Sequence, residues 1–336
     1  MKKEARLLLE WYAKNGRDLP WRVKGGAHPD AYAVWVSEIM LQQTTVQTVY
    51  GYFDRWMKRF PTLQSLAEAS LDDVLKMWQG MGYYTRAKKM HQCAKEVMEN
   101  YEGIFPNKRE ELLKLSGIGP YTASSLCAFA FNLPETVVDG NVIRVLARYD
   151  GIETEVDRDK IYPRACSLTP KEYGADYASA IMDLGATVCR PASPLCDVCP
   201  WRENCVARKK GLQDKIPLLK KLEKKKKQGA VFILRNKKGE IFIRKRQGKG
   251  LLSGLWELPW AEDEIMPFES VWRKHSVQVR HIFTHFDLTL SFFESTEPYP
   301  VDFLKDGIFV CVAERENYAF STLMKKVLKK LDEMPA

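Results

Sequence analysis

No uninterrupted apolar run in these 336 residues approaches bilayer-spanning length, so a membrane helix is not expected. The first residues, MKKEARLLLEWYAKNG, lack the apolar core and small-residue cleavage site of a secretory signal. No internal repeat is present, which argues against solenoids and propellers, and only one lysine run is low in complexity. Cys93, Cys127, Cys166 and Cys311 stand singly in apolar or mixed surroundings, the usual setting of buried, inert thiols rather than of a disulfide framework. Together these absences predict a soluble intracellular chain, cytoplasmic, in a reducing compartment where thiolates stay available to metal. Acidic excess is also missing: 52 Lys and Arg against 43 Asp and Glu give a net charge of +9. That charge is compatible with a polyanionic partner, but a solvated basic face explains it equally well.

The length suggests two domains. Residues 1–215 read as helical, with amphipathic segments separated by boundary signals. Ser70 with Asp73 resembles a capping box, Asn107 precedes KREELLKL, and Pro120 opens YTASSLCAFAF. Residues 216–228 read as a basic linker, its lysines Lys220, Lys221 and Lys224 to Lys227 a flexible connector. From 229 to 336 the pattern is β-rich: AVFILR and EIFIRK flank a hairpin turn at Asn236–Gly239. RHIFTHFDLTLSFFES and GIFVCVAE add strands, and STLMKKVLKKLDEM is a closing helix. The expected architecture is an all-helical domain followed by an α+β domain.

Chemistry-bearing residues are concentrated in the first part. Cys189, Cys196, Cys199 and Cys205 form Cys-x6-Cys-x2-Cys-x5-Cys within a proline-stiffened loop. Four thiolates so close together can bind tetrahedral zinc or an iron–sulfur cluster. LSGIGPYTA reads as helix, glycine turn and helix, in which Gly117 and Gly119 free backbone N–H groups for a phosphate. Glu38 lies in the apolar helical stretch 33–41, where desolvation raises a carboxyl pKa toward the range of a general acid. Asp139 precedes NVIRVLAR and can cap that helix.

The hairpin, the VDGNVIRVLAR segment and the cysteine loop, in this order, resemble the iron–sulfur branch of the helix-hairpin-helix DNA glycosylases. Within it, VWVSEIMLQQTTV and WQGMGYYTRAKKMH resemble the MutY-type adenine DNA glycosylases. The resemblance implies a helix-hairpin-helix domain with a [4Fe–4S] cluster held by the four cysteines of loop 189–205. It also implies a Nudix-like second domain that recognises 8-oxoguanine. The implied partner is duplex DNA with an adenine opposite 8-oxoguanine or guanine, bound by a monomer, nucleoid-associated if the source is bacterial. Glu38 would protonate adenine, Asp139 would stabilise or bond to the sugar cation, and Asn141 would hold the geometry. Tyr121 stands where the lyase branch carries a lysine, and a phenol cannot form an imine, so the reaction would stop at the abasic site. Gln43 and Tyr83 match residues that insert into the duplex, and Arg17, Trp21, Arg22, Leu41 and Asp183 match the adenine pocket. The chain carries a four-residue extension around Lys24 to His28. Trp201, Arg202, Arg208, Lys209 and Lys210 would contact the DNA backbone. Phe283, Thr284 and His285 would form the lesion-reading loop. After Trp260, AEDEIMPFESVWRKH lacks the order of glutamates and the glycine that a diphosphate hydrolase needs for its Mg²⁺, so that activity is not expected.

Overall fold

The computed structural model describes residues 1–23, 29–218, 224–248, 250–296 and 298–334. The extension at Lys24–His28 and the lysines Lys220 and Lys221 lie outside them. Two compact units form: Met1–Glu68 with Gln92–Lys221, and Ala69–His91 with Leu222–Ala336.

The helices before the sheet are α1 (Lys3–Asn15), α2 (Ala31–Leu41), α3 (Val46–Arg59), α4 (Leu63–Glu68), α5 (Leu71–Met77) and α6 (Thr85–Asn100). They continue with α7 (Arg109–Leu112), α8 (Pro120–Phe129), α9 (Gly140–Asp150), α10 (Arg158–Leu168), α11 (Gly174–Asp183) and α12 (Val206–Lys210). All but α5 and the start of α6 belong to the first unit. Helix α1 buries Ala5, Leu8 and Tyr12, the spacing of one helical face. By contrast, α2 is buried almost all round, from Tyr32 to Met40, because its sequence is apolar on every side. Ser70 accepts from the Asp73 N–H at 3.1 Å and starts α5, while α8 opens on Pro120, where a missing N–H costs little. KREELLKL forms only the short α7, starting after Lys108 rather than Asn107. Its last turn tightens into i to i+3 bonds, Lys114 to Glu111 and Leu115 to Leu112, on the way to Gly117 at φ 80°.

The second unit is built on a seven-stranded sheet of order β3-β2-β1-β6-β5, with β4 paired to β1 and β7 to β2. Its strands are β1 (Lys225–Arg235), β2 (Ile241–Lys245), β3 (Trp256–Glu257), β4 (Trp260–Ala261), β5 (Arg273–Ile282), β6 (Phe286–Thr296) and β7 (Gly307–Val310). Two helices complete it, α13 (Val301–Leu304) and α14 (Thr322–Asp332). The predicted hairpin joins β1 to β2, and the Asn236 side chain accepts from the N–H groups of Lys238 and Glu240. One sheet face packs Val231, Ile233, Leu288 and Leu290 against Leu323, Val327 and Leu331 of α14. The other packs Phe232, Phe242 and Phe293 under Phe268, Trp272 and Phe303. GIFVCVAE is strand only as far as Val310, and no helix forms over 262–272, where a diphosphate hydrolase would carry its metal-binding helix.

The lysine run departs from the expected connector. Lys225, Lys226 and Lys227 open β1 and pair in parallel with Phe286, Asp287 and Leu288. The single cysteines also differ from one another: Cys93 and Cys127 are buried, Cys311 is partly exposed and Cys166 is exposed.

Candidate active site

Helix α2 carries Glu38 into the interior of the first unit, where the residue is 7% exposed. The Tyr121 hydroxyl, from the first turn of α8, donates to Glu38 Oε2 at 3.2 Å. Burial pushes the Glu38 carboxyl up to about 7, and the nearby Asp139 charge adds to it. The Tyr121 bond and the Arg22 charge pull the other way without overcoming the desolvation. Burial, then the Glu38 charge, holds the Tyr121 phenol well above its ordinary range, so it stays a donor. Trp21, Arg22 and Glu38 share a cleft with Phe129, Asp176 and Ser179. Its volume of about 20 Å³ has room for one water.

Asp139 is the N-cap of α9. Its Oδ1 accepts from the Val142 N–H at 2.8 Å and its Oδ2 from Asn141 Nδ2 at 2.8 Å. The Asn141 Oδ1 in turn accepts from Arg144, whose guanidinium also donates to the Gly185 and Cys189 carbonyls. A Cβ at Gly185 would stand 2.6 Å from Asn141 Cβ, so only glycine allows this approach.

Asp183, at 0% exposure, ends α11. Arg17 donates its backbone N–H to Oδ2 at 2.8 Å and two guanidinium N–H groups to Oδ1, which also accepts from Arg22. Burial acts to raise this carboxyl, but the Arg22 charge and the Arg17 bonds outweigh it and hold it below the ordinary range. Trp21 is fixed edge-on against Phe53 at 5.1 Å. Leu41 closes α2, and Gln43 follows, exposed, at φ 60°. In the hairpin, Gly117 has φ 80°, while Gly119 is extended and caps α8. Ser116 is gripped by the Glu96 carboxylate through both its N–H and its hydroxyl.

Cys189, Cys196, Cys199 and Cys205 line one pocket with Arg148, Arg202 and Arg208. The Arg148 guanidinium, only 2% exposed, donates to Cys189 Sγ at 3.5 Å. Backbone N–H groups serve Cys199 and Cys205. Burial pushes the Cys199 thiol up to about 12, and its three neighbours add to that, so these thiols ionise together only against a strongly cationic centre. Among the described residues no three His, Cys, Asp or Glu side chains converge on a single ion. Four cysteine thiols around one pocket are a donor set that an iron–sulfur cluster or a tetrahedral zinc ion can use. Trp201 is buried, donating to the Glu4 carbonyl and tilted against Tyr149, so it belongs to the core rather than to a nucleic-acid surface.

Tyr83, Phe283, Thr284 and His285 lie in the second unit, around a cavity of about 440 Å³. Tyr83, 48% exposed and at φ 47°, shares a hydrogen bond with Thr284 through their hydroxyls at 2.5 Å. Phe283 is packed between His281 and Phe286. Sequence reasoning missed Arg144, Arg148, Glu96, Asp176 and Ser179. Arg144, Arg148 and Glu96 lie on ordinary amphipathic helices and Asp176 and Ser179 on the largely buried α11, and the only local signal was that Arg144 and Arg148 sit one turn apart on α9.

Residues 36–171 match the HhH-GPD superfamily base excision DNA repair protein family, and residues 230–330 match the NUDIX domain. The Adenine DNA glycosylase of Buchnera aphidicola subsp. Acyrthosiphon pisum is 33% identical over 90% of this chain and 89% of its own length. That of Homo sapiens is 32% identical over 96% of this chain and 72% of its own. Among solved structures, a thermostable thymine-DNA glycosylase superposes with a TM-score of 0.56 at 26% identity, covering 62% of this chain and 95% of its own.

Proposed function

The chain belongs to the adenine DNA glycosylases of the helix-hairpin-helix base excision repair superfamily, and on that premise we propose that it removes adenine mispaired with 8-oxoguanine or guanine in duplex DNA. The observation that carries this reading is the Glu38 carboxyl. It is buried, raised to about 7, hydrogen-bonded to a phenol rather than an amine, and shares a cleft with Trp21 and Arg22. A carboxyl so tuned keeps a proton near neutral pH and can deliver it to the adenine ring as the glycosidic bond breaks. Asp139 faces the same chemistry as the anionic partner of the developing sugar cation, in the manner of a glycosidase carboxylate pair. Its two N–H donors, Val142 and Asn141, hold it in place. Trp21 and Arg22 would line the base pocket, with Asp183 fixing Arg22 and Arg17 behind it, and Leu41 at its edge.

A cleft of about 20 Å³ is too small for a purine, so its lining would have to move to admit a base that has left the helical stack. Gln43 and Tyr83 are exposed residues held at left-handed φ, which supports their insertion into the duplex. The hairpin N–H groups at Gly117 and Gly119 would hold a backbone phosphate. In the second unit, the Thr284 and Tyr83 hydroxyls form a polar pair beside Phe283 and His285, suited to the edge of an oxidised purine. Cys189, Cys196, Cys199 and Cys205 would hold a [4Fe–4S] cluster, which supplies a structural anchor for the loop.

The test is single-turnover cleavage of a duplex with one adenine opposite 8-oxoguanine, read with and without hot alkali. Breaks only after alkali, and only on the adenine strand, are expected. Breaks without alkali would move the chain to the lyase branch, and tight binding without breaks would make it a damage binder.

A further inference from the structure

The lysine run is not spent on connecting the units. Strand β1 begins in it, and among the described residues β6 is the only strand partner of its first four residues, since β2 and β4 pair farther along. The parallel register sets Lys225 opposite Phe286 and Lys226 opposite Asp287, at the foot of the turn that carries Phe283, Thr284 and His285. Lys224 reaches the turn itself, its Nζ donating to the Phe283 carbonyl at 3.0 Å. From the other side, Lys326 of α14 donates to the Arg280 carbonyl on β5. Carboxylates are few here: Glu262 is taken by Lys227, and Asp287 is bonded to Arg280, though its charge also reaches Lys226 and Lys224. Among the described residues, Lys224, Lys225, Lys226 and Lys326 have no carboxylate partner within ion-pair distance. Lys224, Lys225 and Lys226 are exposed.

We propose that Lys224, Lys225 and Lys226 form a phosphate-binding segment at the start of β1 that grips the DNA backbone beside the base held at the Thr284 turn. The assignment of the turn rests on the function proposed above, while the phosphate affinity rests on the strand itself. A flexible lysine tail would lose entropy on binding, but Lys225 and Lys226 are already ordered by the β6 ladder, and Lys224, just before it, is tied to the turn through the Phe283 carbonyl. Residues two apart in extended chain are about 7 Å apart, two nucleotide steps along the axis of one DNA strand, so Lys224, just before β1, and Lys226 can serve separate phosphates, while Lys225 points to the opposite face of the sheet from Lys226. The competing explanation is that the lysines protect the open edge of β1 from pairing with another chain.

The experiment compares the holoprotein with K224Q/K225Q/K226Q and K224R/K225R/K226R by fluorescence anisotropy over a salt series, on lesion-bearing and undamaged duplexes. Each lost phosphate contact lowers the slope of log affinity against log salt by about 0.9, so with Lys224 and Lys226 each on a phosphate the Gln variant should lose about 2 in slope on both duplexes, and the Arg variant should keep it. Between 50 and 200 mM salt the parent would then lose about 15-fold more affinity than the Gln variant. Neutral methylphosphonate linkages beside the 8-oxoguanine should weaken the parent but have little further effect on the Gln variant. An unchanged slope, or equal losses of parent and variant on the neutral backbone, would overturn the proposal. An unchanged slope with new aggregation would establish edge protection instead. If the parent shows no preference for 8-oxoguanine over guanine, the reading of the turn fails, while the slope on undamaged DNA still decides the lysines.

Discussion

Replacing Glu38 with Gln should stabilise the protein while abolishing base release, and the stabilisation should depend on pH. The unfolded chain releases this proton near 4.5, whereas the folded protein holds it until about 7. Between those values the native state binds more protons, so the contribution of this group to stability is complete below about 4.5. It declines as pH rises and levels off above about 7. At about 1.4 kcal/mol for each tenfold step, the charged carboxyl costs the native state roughly 3 kcal/mol by pH 8. Glutamine keeps the shape and an oxygen to accept from Tyr121, but it does not titrate. Urea melts at pH 5 and pH 8 should therefore show E38Q gaining about 2 to 3 kcal/mol on the parent across that interval. Single-turnover excision by the parent should fall tenfold per pH unit above about 7, as the acid form is lost. Parallel stability curves for the two proteins would mean that the carboxyl is solvated, and retained turnover in E38Q would remove it as the acid.

Tyr121→Phe deletes a bond that favours the charged carboxylate, so the alkaline limb of the parent's pH–rate profile should move up by about one unit; a downward shift would contradict the assigned donor. Tyr121→Lys places an amine beside the same cleft and should allow borohydride trapping of a protein–DNA adduct, and no adduct would mean that the position does not face the sugar. Thr284→Ala removes the hydroxyl that meets Tyr83 and should narrow the ratio of excision rates opposite 8-oxoguanine and guanine; an unchanged ratio counts against that turn. Asp183→Ala leaves Arg17 and Arg22 without their shared carboxylate and should cost about 3 kcal/mol or more in denaturant melts, whereas a loss near zero would show that both arginines find water.

What the sequence made legible was local. The cysteine spacing, the Ser70 and Asp139 caps, Pro120 at the start of α8 and the Asn236 turn each depend on residues a few positions apart, and the structure keeps all of them. What escaped depends on distant partners. Lys225 to Lys227 have no alternation to mark a strand, and their β structure comes from a partner some sixty residues later. The Asp183 carboxylate is taken up by Arg17, at the other end of the helical region, so its role in holding arginines was invisible in DLGATV. Trp201 looked like a surface aromatic in a basic loop, yet it is bound to the first helix through the Glu4 carbonyl. Residues 69–91 read as continuous with the helices around them, but they pack with the second unit. There Gln79 donates to the Tyr318 carbonyl and Lys245 meets Asp72.

Helix α2 and the turn after it carry two of the energetic costs of this site. Helix α2 buries Glu38, a loss of roughly 3 kcal/mol at alkaline pH. Immediately past its end, Gln43 is held at φ 60°, a backbone state that costs about 1 to 3 kcal/mol in a non-glycine residue. The same helix buries Val34, Trp35, Val36, Ile39 and Met40, each worth about 1.5 to 3 kcal/mol against exposure, which more than offsets both costs. A purely amphipathic helix could not do this, because half of its circumference would face water and the carboxyl could take up a solvated position. The apolar character of VWVSEIML on every side therefore serves two ends. It keeps Glu38 dry enough to retain its proton, and it anchors the chain firmly enough to hold Gln43 in a strained, exposed conformation.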